Sequence, residues 1–478
     1  MRLNVTLFCL AWGALASGCA SVNTAPLPRE VPAAFENAVS AQPAQWPAQQ
    51  WYRDFSSGEL NTFVDLAVKD NSDLAVARAR VAQADARARK AGSALLPTID
   101  GAGNANYLAG HSSQGGGHEL DWSVMLTAGY EVDFWGKNRA SAESARFLAG
   151  ASRAEHDTAA LTILAGVANA YFQVLALRER LMIAQSNSNA AGQLLEAVQA
   201  RFEAGVASPV ELAAQQATFD AAQIAITDLQ QREVEARAAL ALLLGRTPEN
   251  FSVASKPLSS LTEPRIAAGL PSELLTRRPD ILLAEANLRA GHADLIAARA
   301  AMFPSLSLTA GAGVQNPALP ATVLTIPGVG PSFALAANLI QPIFDHGRLQ
   351  AQRDEAQAKD TELLLAYRAA IIAALSDVES ALGAIHHLDA AREFQLGNVV
   401  HSERAFEGAK LRYQAGSGDF LTLLEAQRTL YAARDQFIQY QLARLISLVG
   451  LCKALGGGWS QQDPQGMTAD STTRNLDQ

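Results

Sequence analysis

A mostly α-helical chain that carries transmembrane β-strands and is internally duplicated is the fold class this sequence predicts, on three observations. The 478 residues repeat one order of elements in two halves; each half holds a hairpin-like pair of alternating segments of membrane-crossing length; each also holds a proline-free helical stretch too long for one globular domain.

The duplication organises everything else. Asp73-Leu74 corresponds to Asp280-Ile281 and Leu96-Pro97 to Phe303-Pro304, both 207 residues apart. Gly136 corresponds to Gly347, Arg201-Phe202-Glu203-Ala204-Gly205 to Arg412-Tyr413-Gln414-Ala415-Gly416, Gln216 to Gln427, and Leu244-Gly245 to Leu455-Gly456, all 211 apart. The offset grows by 4 between Pro97 and Gly136, so the added residues sit in one loop of the second half. The repeats are assigned to residues 52–248 and 272–459, joined by a linker over 249–271 containing Pro257, Pro264 and Pro271.

Ahead of the first repeat, Met1-Arg2 leads through an apolar stretch to Leu15-Ala16-Ser17-Gly18-Cys19. One positive charge, a short apolar core and small residues predict a signal peptide over residues 1–18, the run being too short to span a bilayer. Leu-Ala-Ser-Gly-Cys resembles the lipobox of bacterial lipoproteins, which implies a lipid on Cys19 as the new N-terminus. Ala20 is compatible with sorting to the outer membrane. Residues 19–51, with Pro26, Pro28, Pro32, Pro43 and Pro47, predict an extended tether, and residues 460–478 a flexible tail. Processing would leave Cys452 without an intrachain partner, so no disulfide framework is expected and Cys452 reads as a small packed residue.

Within each repeat a helix, about Leu60 to Leu95 or Pro279 to Met302, runs into Leu-Pro or Phe-Pro and stops there. Two alternating segments follow around a Gly-rich turn: Thr98 to Leu108 with Leu120 to Val132, and Ser305 to Val314 with Phe333 to Phe344. Their length and alternation fit transmembrane strands of about 9 to 11 residues, with a soluble hairpin as the alternative. Gly136 and Gly347 then open helical patterns free of proline to Arg201 and Arg412, about 100 Å long at 1.5 Å per residue. Leu161, Leu164, Val167, Tyr171, Val174 and Leu181 form a coiled-coil-like stripe that Arg178 interrupts. The uncharged run from Thr158 to Leu177 contains Asn169 and Gln173 and is read as packed helix rather than membrane span. Turns at Ala204–Ser208 and Ala415–Asp419 lead into return helices ending near Leu244-Gly245 and Leu455-Gly456.

Four strands cannot close around a lumen, and open edges are not viable in lipid, so several copies must share one barrel. Two copies would give eight strands and a side-chain-filled interior; three would give twelve and a water-filled lumen. The long helices would extend the same tube, which suggests passage and not chemistry. Composition agrees: 49% hydrophobic but only 6% aromatic residues favour long Ala- and Leu-rich helices, and a net charge of -9 offers no basic surface for nucleic acid. No HExxH, GxSxG, Walker or dinucleotide fingerprint occurs, so no catalytic or cofactor residue is expected and the chain is not read as an enzyme. His118-Glu119 and His386-His387 are the only metal candidates, and adjacent helical residues diverge by about 100°, so no metal site is assigned. Gly101-Ala102-Gly103 and Gly311-Ala312-Gly313 are small residues in strands.

The chain resembles the outer-membrane efflux protein (TolC) family, in the lipoprotein branch typified by NodT and OprM. The resemblance rests on Glu131-Val132-Asp133-Phe134-Trp135-Gly136-Lys137, Arg277-Arg278-Pro279-Asp280, Pro342-Ile343-Phe344-Asp345-His346-Gly347-Arg348-Leu349, Leu421-Thr422-Leu423-Leu424-Glu425-Ala426-Gln427-Arg428, and Lys453-Ala454-Leu455-Gly456-Gly457-Gly458-Trp459. The family's usual Phe-Asp-Gly-Gly is Phe-Asp-His-Gly here. The resemblance implies a homotrimer with a twelve-stranded β-barrel continued by a periplasmic α-helical barrel, anchored in the outer membrane by lipid on Cys19. It also implies docking to a periplasmic membrane-fusion adaptor and an inner-membrane RND-type transporter, in a tripartite pump that exports drugs or other small molecules. A type I protein-secretion outlet, a metal-efflux outlet and a non-channel structural lipoprotein are the rival readings. In the resembling lipoproteins the residues matching Leu421, Glu425 (commonly Asp) and Arg428 line the constriction that closes the resting duct. Spaced i, i+4 and i+7, they share one helix face; an ordinary solvated ion pair beside a core leucine is the alternative.

Overall fold

The computed structural model describes residues 32, 34–36, 46–112, 115–249, 251–254, 257–264, 266, 269, 271–316, 330–457 and 459. Contacts divide the chain into Met1–Pro32 and Ala33–Gln478, and the second unit holds every element named below. Cys9, Cys19 and the tail over 460–478 lie outside the described residues, as do the side chains of His118-Glu119.

The first half comprises α1 (Gly58–Asp70), α2 (Ser72–Ser93), β1 (Thr98–Ser112), β2 (Gly115–Val132), α3 (Lys137–Glu203) and α4 (Pro209–Leu243). The second comprises α5 (Pro279–Ala300), β3 (Ser305–Asn316), β4 (Gly330–Ile340), α6 (Arg348–Gln414) and α7 (Phe420–Ala454). Several boundaries differ from the sequence expectation: β1 runs to Ser112 instead of Leu108, β2 begins at Gly115 instead of Leu120, β3 runs to Asn316 instead of Val314, and β4 begins at Gly330 instead of Phe333. The single helix expected from Leu60 is two, because Asn71 is extended (φ -65°, ψ 128°) and its Oδ1 caps α2 by accepting from the Leu74 N–H at 3.0 Å. The last strand stops at Ile340, not Phe344; Pro342 has no N–H to continue a ladder.

Each strand-to-helix corner is built the same way. Asp133 accepts from the N–H groups of Asn138 (3.0 Å) and Arg139 (2.8 Å), and Asp345 from those of Gly347 (3.1 Å) and Leu349 (3.0 Å). A carboxylate thus satisfies the orphan donors and the positive dipole end of α3 and of α6, each 67 residues long. Gly136 and Gly347 take left-handed φ values of 78° and 81°, and His346 stands in the same region at 55°. That explains why a glycine suits the position His346 occupies: a Cβ there costs about 1 kcal/mol.

The sheet is a four-stranded antiparallel meander in the order β1-β2-β3-β4. Thr98 faces Gly129 in one hairpin and Ser305 faces Ile340 in the other, which are equivalent positions under the 207 and 211 offsets. The four additional residues therefore lie toward the tip of the second hairpin. Pleating sorts the strands into two faces. Ile99, Val124, Leu126, Leu308, Phe333, Leu335 and Leu339 share one and are exposed; Asp100, Asn104, Ser123, Thr127, Glu131, Ser307, Thr309 and Asn338 share the other, with Met125 and Ile340 as large apolar exceptions. An apolar outer face with a polar inner one is what a barrel wall in lipid requires.

The core lies midway along α3, where Trp51, Phe55, Leu60, Phe63, Phe172 and Leu240 are buried around it. Each such side chain contributes about 1.5–3 kcal/mol. The run from Thr158 to Leu177 belongs here, with Val167, Ala168, Phe172 and Val174 at 0% exposure, so it is packed helix. Tyr171 shares hydrogen bonds of 3.1 Å with Ser57 and with Glu59; burial, chiefly, pushes its pKa up to about 12. Arg178 leaves the apolar stripe to pair with Glu233 at 2.9 Å and to donate to the Val253 carbonyl. Cys452 is buried in the same cluster, and burial raises its thiol pKa. Part of the segment read as a tether is also docked: Phe35 is buried against Leu274, Val378 and Leu382, and Trp46 donates to Glu273 at 2.6 Å.

One buried joint is repeated in both halves with different residues. The amide of Asn71 donates to the Leu243 carbonyl at 2.8 Å; 207 residues on, Arg278 donates to the Ala454 carbonyl at 3.1 Å. Gly245 and Gly456 follow those helix ends at φ 67° and 87°, where a Cβ would sit 2.3 Å from the Asp70 carbonyl oxygen and 2.1 Å from that of Arg277. Only glycine fits both the turn and the approach.

Candidate functional site

The candidate site is the end of the molecule farthest from the sheet, where α3 returns as α4 and α6 returns as α7. Ser208 begins α4 with a capping box closed by Glu211, and Asp419 begins α7. Asp419 accepts from the Thr422 hydroxyl at 2.7 Å and N–H at 2.8 Å, and those bonds hold its pKa below the ordinary aspartate value.

Leu423, Leu424, Gln427 and Leu430 turn the buried face of α7 onto Leu194, Val198 and Phe406. The opposite face carries Leu421, Glu425 and Arg428, all exposed, Leu421 at 71%. The structure therefore brings the three sequence-identified residues onto one free face, and Leu421 is not a core leucine of this chain. Glu425 and Arg428 form no ion pair with each other among the described residues. They lean into separate grooves. Glu425 lines a groove of 630 Å³ between α6 and α7 with His401, Ser402 and Leu421. Arg428 lines a cleft of 390 Å³ with residues of α3 and α4.

What ties this face to the first repeat escaped the sequence reading. Arg180 on α3 holds Asp435 on α7 through two bonds of 2.6 and 3.1 Å. Tyr431 donates to the Asn187 carbonyl at 2.7 Å and accepts from Gln427 at 2.9 Å, and burial raises its pKa. Nearer the turns, Arg201 lies over the Tyr413 ring, 4.6 Å from its centroid, and Tyr413 donates to Glu211 at 3.0 Å. Burial first, and Glu211 second, raise the Tyr413 pKa. A signal for one of these was present: the matched segments of the repeat differ as Phe202 against Tyr413, and the added hydroxyl needs a partner.

A third groove lies among α3, α5 and α6, lined by Lys137, Asp294, Glu355 and Lys359. His386 and His387 are exposed on α6, and no group of His, Cys, Asp or Glu among the described residues has a metal-holding arrangement. What the assembled geometry offers is a surface for passage: a two-faced membrane sheet continued by helices that present an exposed apolar and charged face at their far end.

The model of the family described as outer membrane efflux protein matches this chain twice, over residues 63–246 and 270–457, one match for each repeat. The chain belongs to that family. Its relatives include the pyoverdine export outer membrane protein OpmQ of Pseudomonas aeruginosa, 42% identical over 91% of this chain and 95% of the relative. The cation efflux system protein CusC of Escherichia coli is 30% identical over 86% of this chain and 88% of the relative. Among solved structures, the open state of the Neisseria gonorrhoeae MtrE outer membrane channel superposes with a TM-score of 0.81 at 31% identity, covering 93% of this chain and 99% of that one. The outer-membrane channel OprN superposes at 0.82 with 26% identity, covering 91% and 98%. The efflux protein is thus an outer-membrane channel with a long periplasmic helical extension, the exit component of an efflux pump. Its fold is that of the trimeric channels of this family, each subunit giving four strands to a shared barrel.

Proposed function

We propose that three copies of this chain close one twelve-stranded barrel and one helical tube, anchored by lipid on Cys19, through which a small molecule delivered by an inner-membrane transporter and its periplasmic adaptor leaves the cell. The observation that carries it is an asymmetry between equivalent elements. Within the chain, α3 packs on α5 and α7 of the other repeat, and β2 pairs with β3 of the other repeat. Among the described residues their counterparts α6 and β4 have no comparable packing on the other repeat, and the most apolar stretch of α6 is 17% buried against 56% for that of α3. Leu365, Ile372, Phe394, Leu396 and Leu411 stand exposed on α6. A following copy supplies what is missing, its α2 and α4 standing to α6 as α5 and α7 stand to α3. The same seam repeated head to tail closes a ring.

The register of that seam follows from the repeat. Gly129 faces Thr309 between β2 and β3, so the equivalent Ile340 faces Ala102 of the next copy. Ile340→Cys combined with Ala102→Cys should oxidise to a ladder ending at three chains on non-reducing gels. A monomeric band under conditions where each single variant is reactive would refute the shared barrel.

At the far end, Leu421, Glu425 and Arg428 from three copies would converge as the constriction. Their exposure on one face, with buried residues on the other, supports this reading. The cargo favoured by the relatives is a siderophore-class molecule, since pyoverdine export proteins match at 42% and 40% identity and a cation efflux protein at 30%. Deleting the gene should lower the siderophore in the culture supernatant without changing metal tolerance; the reverse pattern would assign metal efflux instead.

A further inference from the structure

We propose that the cleft between α3, α4 and α7 is a binding site for a small soluble oxyanion, one that bears a carboxylate or phosphate group together with a hydroxyl. The cleft holds 390 Å³, room for a molecule of up to about twenty heavy atoms, and three arginines line it on a chain whose net charge is -9. The three are not alike. Arg180 is committed to Asp435 through both of its bonds, at 2.6 and 3.1 Å. Arg232 on α4 and Arg428 on α7 are exposed, line the cleft, and have no hydrogen bond or ion pair among the described residues. The remaining acid, Asp228, lies one helical turn from Arg232 without bonding it. Counting Arg180, Arg232 and Arg428 against Asp228 and Asp435 leaves the cleft one positive charge in excess, carried by guanidiniums whose planar donor forks match carboxylate and phosphate oxygens.

The floor supplies an independent sign of a ligand. Asn187 is 7% exposed, and its Oδ1 has no hydrogen-bond partner among the described residues. Its backbone carbonyl is already held by the Tyr431 hydroxyl at 2.7 Å, which fixes the residue against α7. A buried amide oxygen without a donor is a cost that a ligand hydroxyl would remove. Two free guanidiniums for the anionic end and one unsatisfied acceptor for a hydroxyl are the features of a hydroxycarboxylate or a hydrogen phosphate site.

The test is calorimetric titration of the full-length channel in detergent at low ionic strength, with citrate and then inorganic phosphate as probes. Saturable binding of one citrate or one phosphate per chain is expected; preference for citrate assigns the carboxylate, preference for phosphate the phosphate. Arg232→Ala should weaken that binding at least tenfold, and Asn187→Asp, which puts a negative charge on the floor, should abolish it. Arg237→Ala, on α4 outside the cleft, should leave it unchanged and controls for folding. No saturable binding of either probe, as when a neighbouring copy fills the cleft, would overturn the proposal. So would equal affinity in Arg232→Ala and the unaltered protein. Binding is read without any conductance measurement, so failure here leaves the constriction at Leu421, Glu425 and Arg428 untouched.

Discussion

Arg278 is where one side chain carries the most structure, and its truncation gives the most demanding test. Its guanidinium donates to Asp280 at 3.0 and 2.6 Å, to Asp377 at 3.0 Å, and to the carbonyls of Ala374 and Ala454 at 3.4 and 3.1 Å. Only 8% of the residue is exposed. Burial opposes the charge, yet Asp280 and then Asp377 outweigh it and hold the pKa above the ordinary arginine value. Removing one partner of a fully buried ion pair costs about 3–5 kcal/mol. Here the Asp280 and Asp377 side chains are 34% and 56% exposed, so water can resolvate them and the figure falls to the low end. Arg278→Ala should therefore destabilise the channel by about 3 kcal/mol per chain. The repeat supplies the companion variant. Asn71, at the equivalent place, caps α2 and reaches the Leu243 carbonyl, so Arg278→Asn should recover about 1 kcal/mol of the loss through the same two bonds. Guanidinium titration of detergent-solubilised channel at fixed concentration, followed by helical circular dichroism, measures both. A shift below about 1 kcal/mol for Arg278→Ala, or an Asn variant no better than the Ala one, would refute the reasoning.

Glu425→Ala or Arg428→Ala should raise open probability and conductance in planar bilayers; both variants matching the unaltered protein would remove the constriction from this face. His346→Gly should stabilise the channel by up to about 1 kcal/mol in the same denaturant assay, because glycine occupies the left-handed region without a Cβ penalty. Asp419 has a lowered folded-state pKa, so its cap supports the start of α7 above the ordinary aspartate pKa and is lost as pH falls through the lowered value. Acidification should speed amide exchange around Thr422, after correction for intrinsic rates; the same acid response in Asp419→Asn would show that the carboxylate is not responsible. Mass spectrometry of the mature N-terminus should find lipid on Cys19 and lose it in Cys19→Ala; an unmodified N-terminus at another residue would end the lipoprotein reading.

The repeat, the strand alternation and the glycines at Gly136, Gly347, Gly245 and Gly456 were legible in the sequence because each is a local pattern with one physical meaning. A fixed offset means equivalent folds, alternation at membrane length means a two-faced strand, and a glycine at the edge of a long helical run marks where the helix begins or ends. The face shared by Leu421, Glu425 and Arg428 was legible for the same reason: helical spacing alone places it. The break at Asn71 was not, since a good cap inside a helical pattern is ambiguous until the chain is seen to change direction there. Nor were the ties that join the two repeats. Arg180 meets Asp435 from 255 residues away, and Tyr413 meets Glu211 from 202 away. No periodicity links such positions; only the packing of α3 against α7 brings them within hydrogen-bond reach. That packing also decided that Glu425 and Arg428, one turn apart on the same face, lean into different grooves. Spacing determines which side of a helix a residue occupies, while its partner is determined by what the neighbouring helices offer across the gap.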